Sequence, residues 1–342
     1  MTPTFGLAVD CDEPSELLLA RVRELDAGSA FTRLWVADER FRRDVWVTLG
    51  LLAAETGRLE LATCVTDPFI RHPALTATAI ATVDEASGGR AILGLGAGVS
   101  GFGALGIDRT APATALREAI ELARRLWASS DAFTYEGRQT SFRDARLGFA
   151  PTRRIPIMLA GRGPKILELA GEVADGVMVA TFVGGPLLAH SLARVEAGVA
   201  RRDPALGRLE RISWAYVSID DDREAARRAA RRGIAVALWG SRPILDELGV
   251  QLPAELIRVM DEGAYSLDPE VIGRAAALVP ETLVDECSIS GTPDECVRKL
   301  VDLADQGFDH VACWLFPTPS TPAGEMVSVL ETRVIPAVRV AA

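Results

Sequence analysis

Histidine and cysteine are scarce in this chain, with three histidines (His72, His190, His310) and five cysteines (Cys11, Cys64, Cys287, Cys296, Cys313) in 342 residues. The cysteines form no CxxC pair and no even framework, so neither a metal centre nor a disulfide scaffold is expected. Excess positive charge is missing too. The formal net charge is −10 and the sequence pI is about 5.0, which excludes a nucleic-acid-binding surface. Arginines sit in helical runs such as Arg223 to Arg232, interleaved with Glu224 and alanines, the pattern of a solvated helix face. No apolar run approaches membrane-spanning length, and Met1-Thr2-Pro3-Thr4-Phe5 lacks a charged segment followed by an apolar one. The chain is therefore expected to be soluble and cytoplasmic, with no membrane partner.

What is there is ordinary globular text, 49% hydrophobic and 25% charged, ample for a large core. Short apolar strands alternate with amphipathic helices from end to end. Strands are expected at Thr4–Val9, Arg33–Ala37, Leu59–Val65, Ala91–Leu95, Ile155–Ala160, Asp175–Ala180, Arg211–Ile219 and His310–Phe316, with a further short one at Cys287–Ser290. Helices are expected between them, among them Val45–Glu55, Pro73–Ser87, Ala113–Trp127 and Pro164–Gly171. Alternation of this kind implies parallel strands joined by right-handed crossovers. Asp131 to Ala150, with Phe133, Tyr135, Gly137 and Phe142, has hairpin composition and reads as a rim insertion. Asp221 to Ala277 reads as an inserted helical bundle, broken at Pro243, Pro253 and Pro269. The expected fold is α/β: one (β/α)8 TIM barrel domain over 1–342, with these two insertions.

In such a barrel the ligand site lies at the carboxyl ends of the strands. Gly161-Arg162-Gly163-Pro164-Lys165 is the candidate phosphate site. Its glycines expose backbone N–H groups, Pro164 suits a first helical turn, and Arg162 and Lys165 add cations. A plain strand-to-helix turn has similar composition. Gly96-Ala97-Gly98-Val99-Ser100-Gly101 formally matches the dinucleotide fingerprint G-x-G-x-x-G, which needs a helix beginning inside it. Here the next helix is expected only near Ala113, so the match is set aside for a loop over a ring system. Asp38 and Glu39 end the second strand as a carboxylate pair able to orient a ligand or exchange a proton. A helix cap and a solvated acid would account for the same pair. His72, before Pro73 at a helix start, reads as a structural anchor, and Trp314 and Phe316 as pocket wall or core.

At this point the text resembles the bacterial luciferase-like oxidoreductase superfamily, in its methylenetetrahydromethanopterin reductase-like branch. The segments that carry the resemblance are Val65 to Pro73, Ile80 to Arg90, Leu93 to Gly98, Gly103 to Gly106, Ile155 to Pro164 and Ser290 to Glu295. The resemblance implies a barrel holding a flavin or, in this branch, the deazaflavin coenzyme F420. It implies a bulge at the third-strand end, Cys64-Val65-Thr66, with a non-prolyl cis peptide at Cys64–Val65 backing the ring. It places Gly96, Ala97 and Gly98 against the ring system, and the turn Ala160, Gly161, Arg162, Gly163, Pro164, Lys165 on the phosphate. Three positions depart from the family's pattern. Glu39 stands where deazaflavin-dependent relatives often have histidine, Val99 where some have an acid, and Ala8 where the reductase has glutamate.

The reading that follows is an F420-dependent oxidoreductase. It would move a hydride between the coenzyme and a small organic substrate, and reduce an activated C=C or C=N bond, with Asp38 and Glu39 as acid–base candidates near the ring. An FMN-dependent monooxygenase on the same barrel is the alternative, separable by titration with each cofactor. A non-catalytic cofactor-binding or partner barrel is a third, motivated by Ala8, Glu39 and Val99. A homodimer is expected from the resemblance.

Overall fold

The computed structural model describes residues 2–98, 101–263 and 268–341. Eleven strands occur in chain order: β1 (Thr4–Val9), β2 (Arg33–Val36), β3 (Glu60–Thr63), β4 (Ala91–Leu95), β5 (Phe133–Glu136), β6 (Ser141–Ala145), β7 (Ile157–Gly161), β8 (Gly176–Ala180), β9 (Glu210–Ile219), β10 (Ser288–Gly291) and β11 (His310–Leu315). Eight of them, β1, β2, β3, β4, β7, β8, β9 and β11, pair in parallel and close into a ring through β8 and β9. The expected short strand near Cys287–Ser290 is β10, and it does not enlarge the ring. It pairs with Tyr216 to Ile219, continuing the edge of β9 that β8 occupies from Glu210 to Trp214. β5 and β6 form the expected antiparallel hairpin.

Period-2 alternation divides each barrel strand between two cores. One set of side chains packs outward against the helices, and the other fills the barrel with Ala8, Trp35, Ala62, Ile92, Met158, Met178, Ile212 and Ala312. Trp35 is fully buried there, and its indole N–H donates to His310 Nε2 at 3.1 Å. His310 Nδ1 lies 2.7 Å from the Thr4 hydroxyl, which also reaches the Asp309 carbonyl. Together these bonds select the neutral Nδ1–H tautomer. Burial, with Arg33 nearby, holds the His310 pKa well below its ordinary value. His72 has a structural task as well. Its ring caps the helix Pro73–Ala86 through Ala74 N–H at 3.2 Å and meets the Ser141 carbonyl at 3.0 Å, tying the hairpin to the barrel.

The helical insertion differs from its expected breaks. One helix, Arg223–Glu247, runs through Pro243 without ending. Proline inside a helix costs about 3 kcal/mol. Burial of Leu238, Trp239, Ile244 and Leu245 on both sides of it, with the Trp239 indole donating to the Met260 carbonyl at 2.7 Å, offsets that cost. Pro269 opens the next helix at its first position, Pro269–Ala277, and Pro253 precedes Ala254–Gly263, so these two prolines do mark boundaries. The glycine-rich loop after β4 also holds a single helical turn, Phe102–Leu105, ahead of the long helix Pro112–Ala128. The expectation of no helix before Ala113 is corrected to that extent. Gly101 and Gly106, both at positive φ, confine the turn to four residues, too short for a dinucleotide crossover.

Candidate active site

The site begins with an irregularity in β3. Leu61 and Ala62 pair with Ala91 and Ile92, but pairing resumes only between Thr66 and Leu95, leaving one extra residue on β3. Across the gap the Thr63 hydroxyl replaces a ladder bond, donating to the Gly94 carbonyl at 2.7 Å and accepting the Gly94 N–H at 2.9 Å. This is a bulge, and bulges re-aim side chains at barrel rims. The Cys64–Val65 peptide within it is cis. The facing glycines make room for the bulge. A Cβ on Gly94 would stand 1.9 Å from the Thr63 carbonyl oxygen, and one on Gly96 2.5 Å from Val65 Cγ2. The Cβ positions of these two glycines therefore face β3, and among the described residues of the glycine loop Gly98 lines the cavity beyond.

That cavity, of about 290 Å³, opens at the carboxyl ends of the strands. Val65, Cys64 and Gly98 line one part of it, and Trp214, Trp314, Tyr216 and Phe316 another. The tryptophan rings stack 5.7 Å apart at 18°, and Tyr216 meets Phe316 edge-on at 5.2 Å. Trp314 and Phe316 are thus pocket wall. The inserted helices cover the mouth with Arg232, Val236 and Ile272. Behind the rim, Asp220 accepts hydroxyl hydrogen bonds from Thr318, Ser320 and Thr321, which join the end of β9 to the loop after β11. Burial raises the Asp220 pKa, but those bonds prevail and bring it down to about 2.

Three carboxylates share the cavity: Asp10 beyond β1, and Asp38 and Glu39 beyond β2. Burial pushes the Asp38 pKa up, partly offset by the Thr66 hydroxyl and the Arg40 charge. The Asp10 side chain is exposed at the cavity surface, and the partial desolvation it meets there raises its pKa, with Arg42 opposing and Glu39 reinforcing. Asp10 escaped the sequence reading, although a signal existed. Period 2 carries the inward face of β1 from Ala8 to position 10, just past the strand end.

Four arginines line the cavity, and two are neutralised. Arg40 is paired with the buried Asp67, and Arg42 with Asp12. Arg40 also donates to the Asp38 carbonyl at 3.0 Å and lies over the Phe102 ring at 4.5 Å, so it binds the β2, β3 and β4 loops together. Arg162 donates from Nε to the Thr181 hydroxyl at 3.1 Å and forms no ion pair among the described residues. Lys165 does not join it. Its side chain is exposed on the first turn of the helix Pro164–Val173 and lines an outer groove with Glu168, Glu118 and Arg117, whereas Arg162 precedes that helix. Of the two cations expected at a phosphate, Arg162 lines the cavity and Lys165 does not. Thr66, Gly96 and Ala160 are buried beneath the cavity surface, and Ala97, Gly161, Gly163 and Pro164 do not line it. No group of three or more His, Cys, Asp or Glu residues suited to a metal occurs among the described residues.

The profile of the luciferase-like monooxygenases matches residues 17–310. The chain belongs to the bacterial luciferase-like family. It is 36% identical over 292 residues to the 5,10-methylenetetrahydromethanopterin reductase of Archaeoglobus fulgidus, a match covering 84% of this chain and 86% of that one. It is 31% identical to the F420-dependent glucose-6-phosphate dehydrogenase of Beutenbergia cavernae, covering 85% of this chain and 82% of that one. The structure of coenzyme F420 dependent tetrahydromethanopterin reductase from Methanopyrus kandleri has a TM-score of 0.79 and 27% identity, with 98% and 99% of the two chains covered. These relatives place the chain in the F420-dependent branch of the luciferase-like oxidoreductases. Of the three departures from the pattern of that branch, Ala8 is buried inside the barrel and Glu39 lines the cavity, while Val99 lies outside the described residues. Among the described residues no helix is long and apolar enough to cross a membrane.

Proposed function

We propose that this luciferase-like protein uses coenzyme F420 to exchange a hydride with a small organic substrate, reducing an activated C=C or C=N bond. The observation that carries the reading is one cavity at the strand ends in which a carboxylate pair, the β3 bulge and an aromatic wall converge. The residues present fit the cofactor. Val65 and Gly98 offer a low surface for a flat ring, and a pocket of about 290 Å³ is near the lower bound of ligand sites. The Trp214 indole N–H is buried without a partner among the described residues, a donor waiting for an acceptor. For the phosphate, the helix Pro164–Val173 begins at Gly163 with no side-chain cap; Pro164 has no N–H and the Ile166 N–H bonds the Gly163 carbonyl, which leaves the Lys165 backbone N–H, three residues after Arg162, as the donor for an anion. When bound, the deazaflavin supplies or accepts the hydride. The chain's own part is to orient the reactants and exclude water, with Asp38 and Glu39 close to the ring. Fluorescence titration of purified protein with F420 and, separately, with FMN tests this. F420 binding at micromolar or lower concentration is expected, and tight FMN binding with no F420 response would overturn the reading in favour of a monooxygenase.

A homodimer belongs to the same proposal. The helix Val45–Glu55 carries no charge between Val45 and Ala54, yet Val47 and Leu51 are 65% and 41% exposed. On the adjoining helix Pro73–Ala86, Leu75 is 54% exposed. A helix apolar all round is ordinarily buried all round. Sedimentation is expected to show a dimer that V47D/L51D converts to a folded monomer. A wild-type monomer at high micromolar concentration would remove the dimer from the reading.

A further inference from the structure

Asp10 occupies a position unlike that of the other two acids. It lines the main cavity and also a second one, of about 310 Å³, that lies between the end of β1 and the C-terminal helix beginning at Ala323. Among the described residues, Trp314 alone joins Asp10 in lining both. The second cavity extends to Asp12, Glu13 and Arg21 near the surface. Asp10 is thus a carboxylate at a junction, with the reaction chamber on one side and a route towards solvent on the other.

It is also uncommitted. Asp38 is engaged by Thr66 and lies beside Arg40, whereas Asp10 has neither hydrogen bond nor ion pair among the described residues. Its charged surroundings explain why. Arg42 is held by Asp12, and Arg21 by Glu13, so both cations lining these cavities near it have partners of their own, while Glu39 adds negative charge. Cys64 and Trp314, which face it from β3 and β11, bring no charge. A carboxyl in such a place retains its proton to higher pH than an ordinary aspartic acid.

We infer that Asp10 is the proton-exchanging residue of the reaction, relaying protons between solvent in the outer cavity and the substrate in the inner one. The inference rests on the hydride-transfer reading above. In reduction of a C=N or C=C bond, one atom of the double bond receives the hydride with its electron pair. The other, left with that bond's π electrons, takes H⁺ from the Asp10 carboxyl. The reduced coenzyme is the reductant, and the Asp10 carboxylate regains its proton from water in the outer cavity. In the opposite direction the carboxylate accepts the proton. This assigns to Asp10 a task that Ala8, two residues earlier on the same inward face, has no group to perform.

Two measurements test it. Infrared titration of the cofactor-free protein reads carboxyl protonation directly. D10N is expected to abolish part of the protonated-carboxyl absorbance that persists above the ordinary aspartate range. Unchanged absorbance in D10N would overturn the assignment. The second measurement follows oxidation of reduced F420 by a water-soluble quinone, an acceptor that also needs a proton. D10N should bind F420 within about threefold of wild type and turn over about 10²–10⁴-fold more slowly. It should lose both the solvent deuterium isotope effect and the fall in rate as pH rises through the Asp10 pKa. D10E should recover part of the rate. F420-bound D10N with wild-type turnover and pH profile overturns the inference alone. Wild type that binds no F420 overturns the hydride-transfer reading, and the inference with it.

Discussion

The variant Gly94→Ala is expected to lose about 3 kcal/mol or more of stability and to lose cofactor binding with it. The reason is contact with backbone. A methyl group at position 94 would sit 1.9 Å from the Thr63 carbonyl oxygen, and neither strand can retreat, since Leu93 and Thr66 are both held in the sheet. Movement would also break the paired Thr63–Gly94 hydrogen bonds, leaving buried polar groups unsatisfied. The bulge would then lose the conformation that turns Val65 into the cavity. Gly103→Ala is the matched control. A Cβ there meets nothing within 4 Å, φ is not positive, and the change should be neutral or slightly stabilising. Denaturant unfolding of both variants measures the contrast. Equal midpoints would mean that β3 and β4 are not pressed together as described.

Removing Arg40 is expected to have an effect of similar size, about 3–5 kcal/mol, for an electrostatic reason. The Asp67 side chain is 2% exposed and that of Arg40 7%. Arg40→Ala would leave Asp67 charged in a poorly solvated place, with only the Phe69 and Ile70 N–H groups, at 2.7 and 3.0 Å, as partners. The double variant R40A/D67A should recover much of the loss, because the uncompensated charge goes with its partner. Lysine at position 40 should not rescue fully, since one ammonium cannot serve Asp67, the Asp38 carbonyl and the Phe102 ring together. Arg40→Ala should also weaken F420 binding, as the loop carrying Asp38 loses its tie to the loop carrying Gly98. Strictly additive losses in the double variant would show that the pair is not coupled.

Much of the fold was legible because it depends on local periodicity. β1 and β4 lie where alternation and apolar runs placed them, and the other barrel strands shifted by one or two residues at their ends. Segments that carried the family likeness turned out to serve the scaffold as well as the site. Arg90, in the motif ending the helix Pro73–Ala86, donates to the carbonyls of Thr56 and Leu59, each at 2.6 Å, and fastens helix to strand. Pro243 shows the opposite case. Its local preference to end a helix is real, and apolar burial on either side outweighs it.

The site was less legible, because a side chain's task depends on what lies opposite it. The residue types themselves sufficed to predict a parallel barrel and to point to the strand ends, where the main cavity opens. Only the tertiary structure decided that Gly94 and Gly96 make room for a neighbouring strand, that Lys165 lines a groove with Glu118, and that Arg40 is bound to Asp67. It also brought Asp10 to the junction of two cavities, beside residues from β2, β3 and β11. Periodicity is written within a dozen consecutive residues, whereas these pairings join positions tens to hundreds of residues apart, and barrel closure alone sets them together.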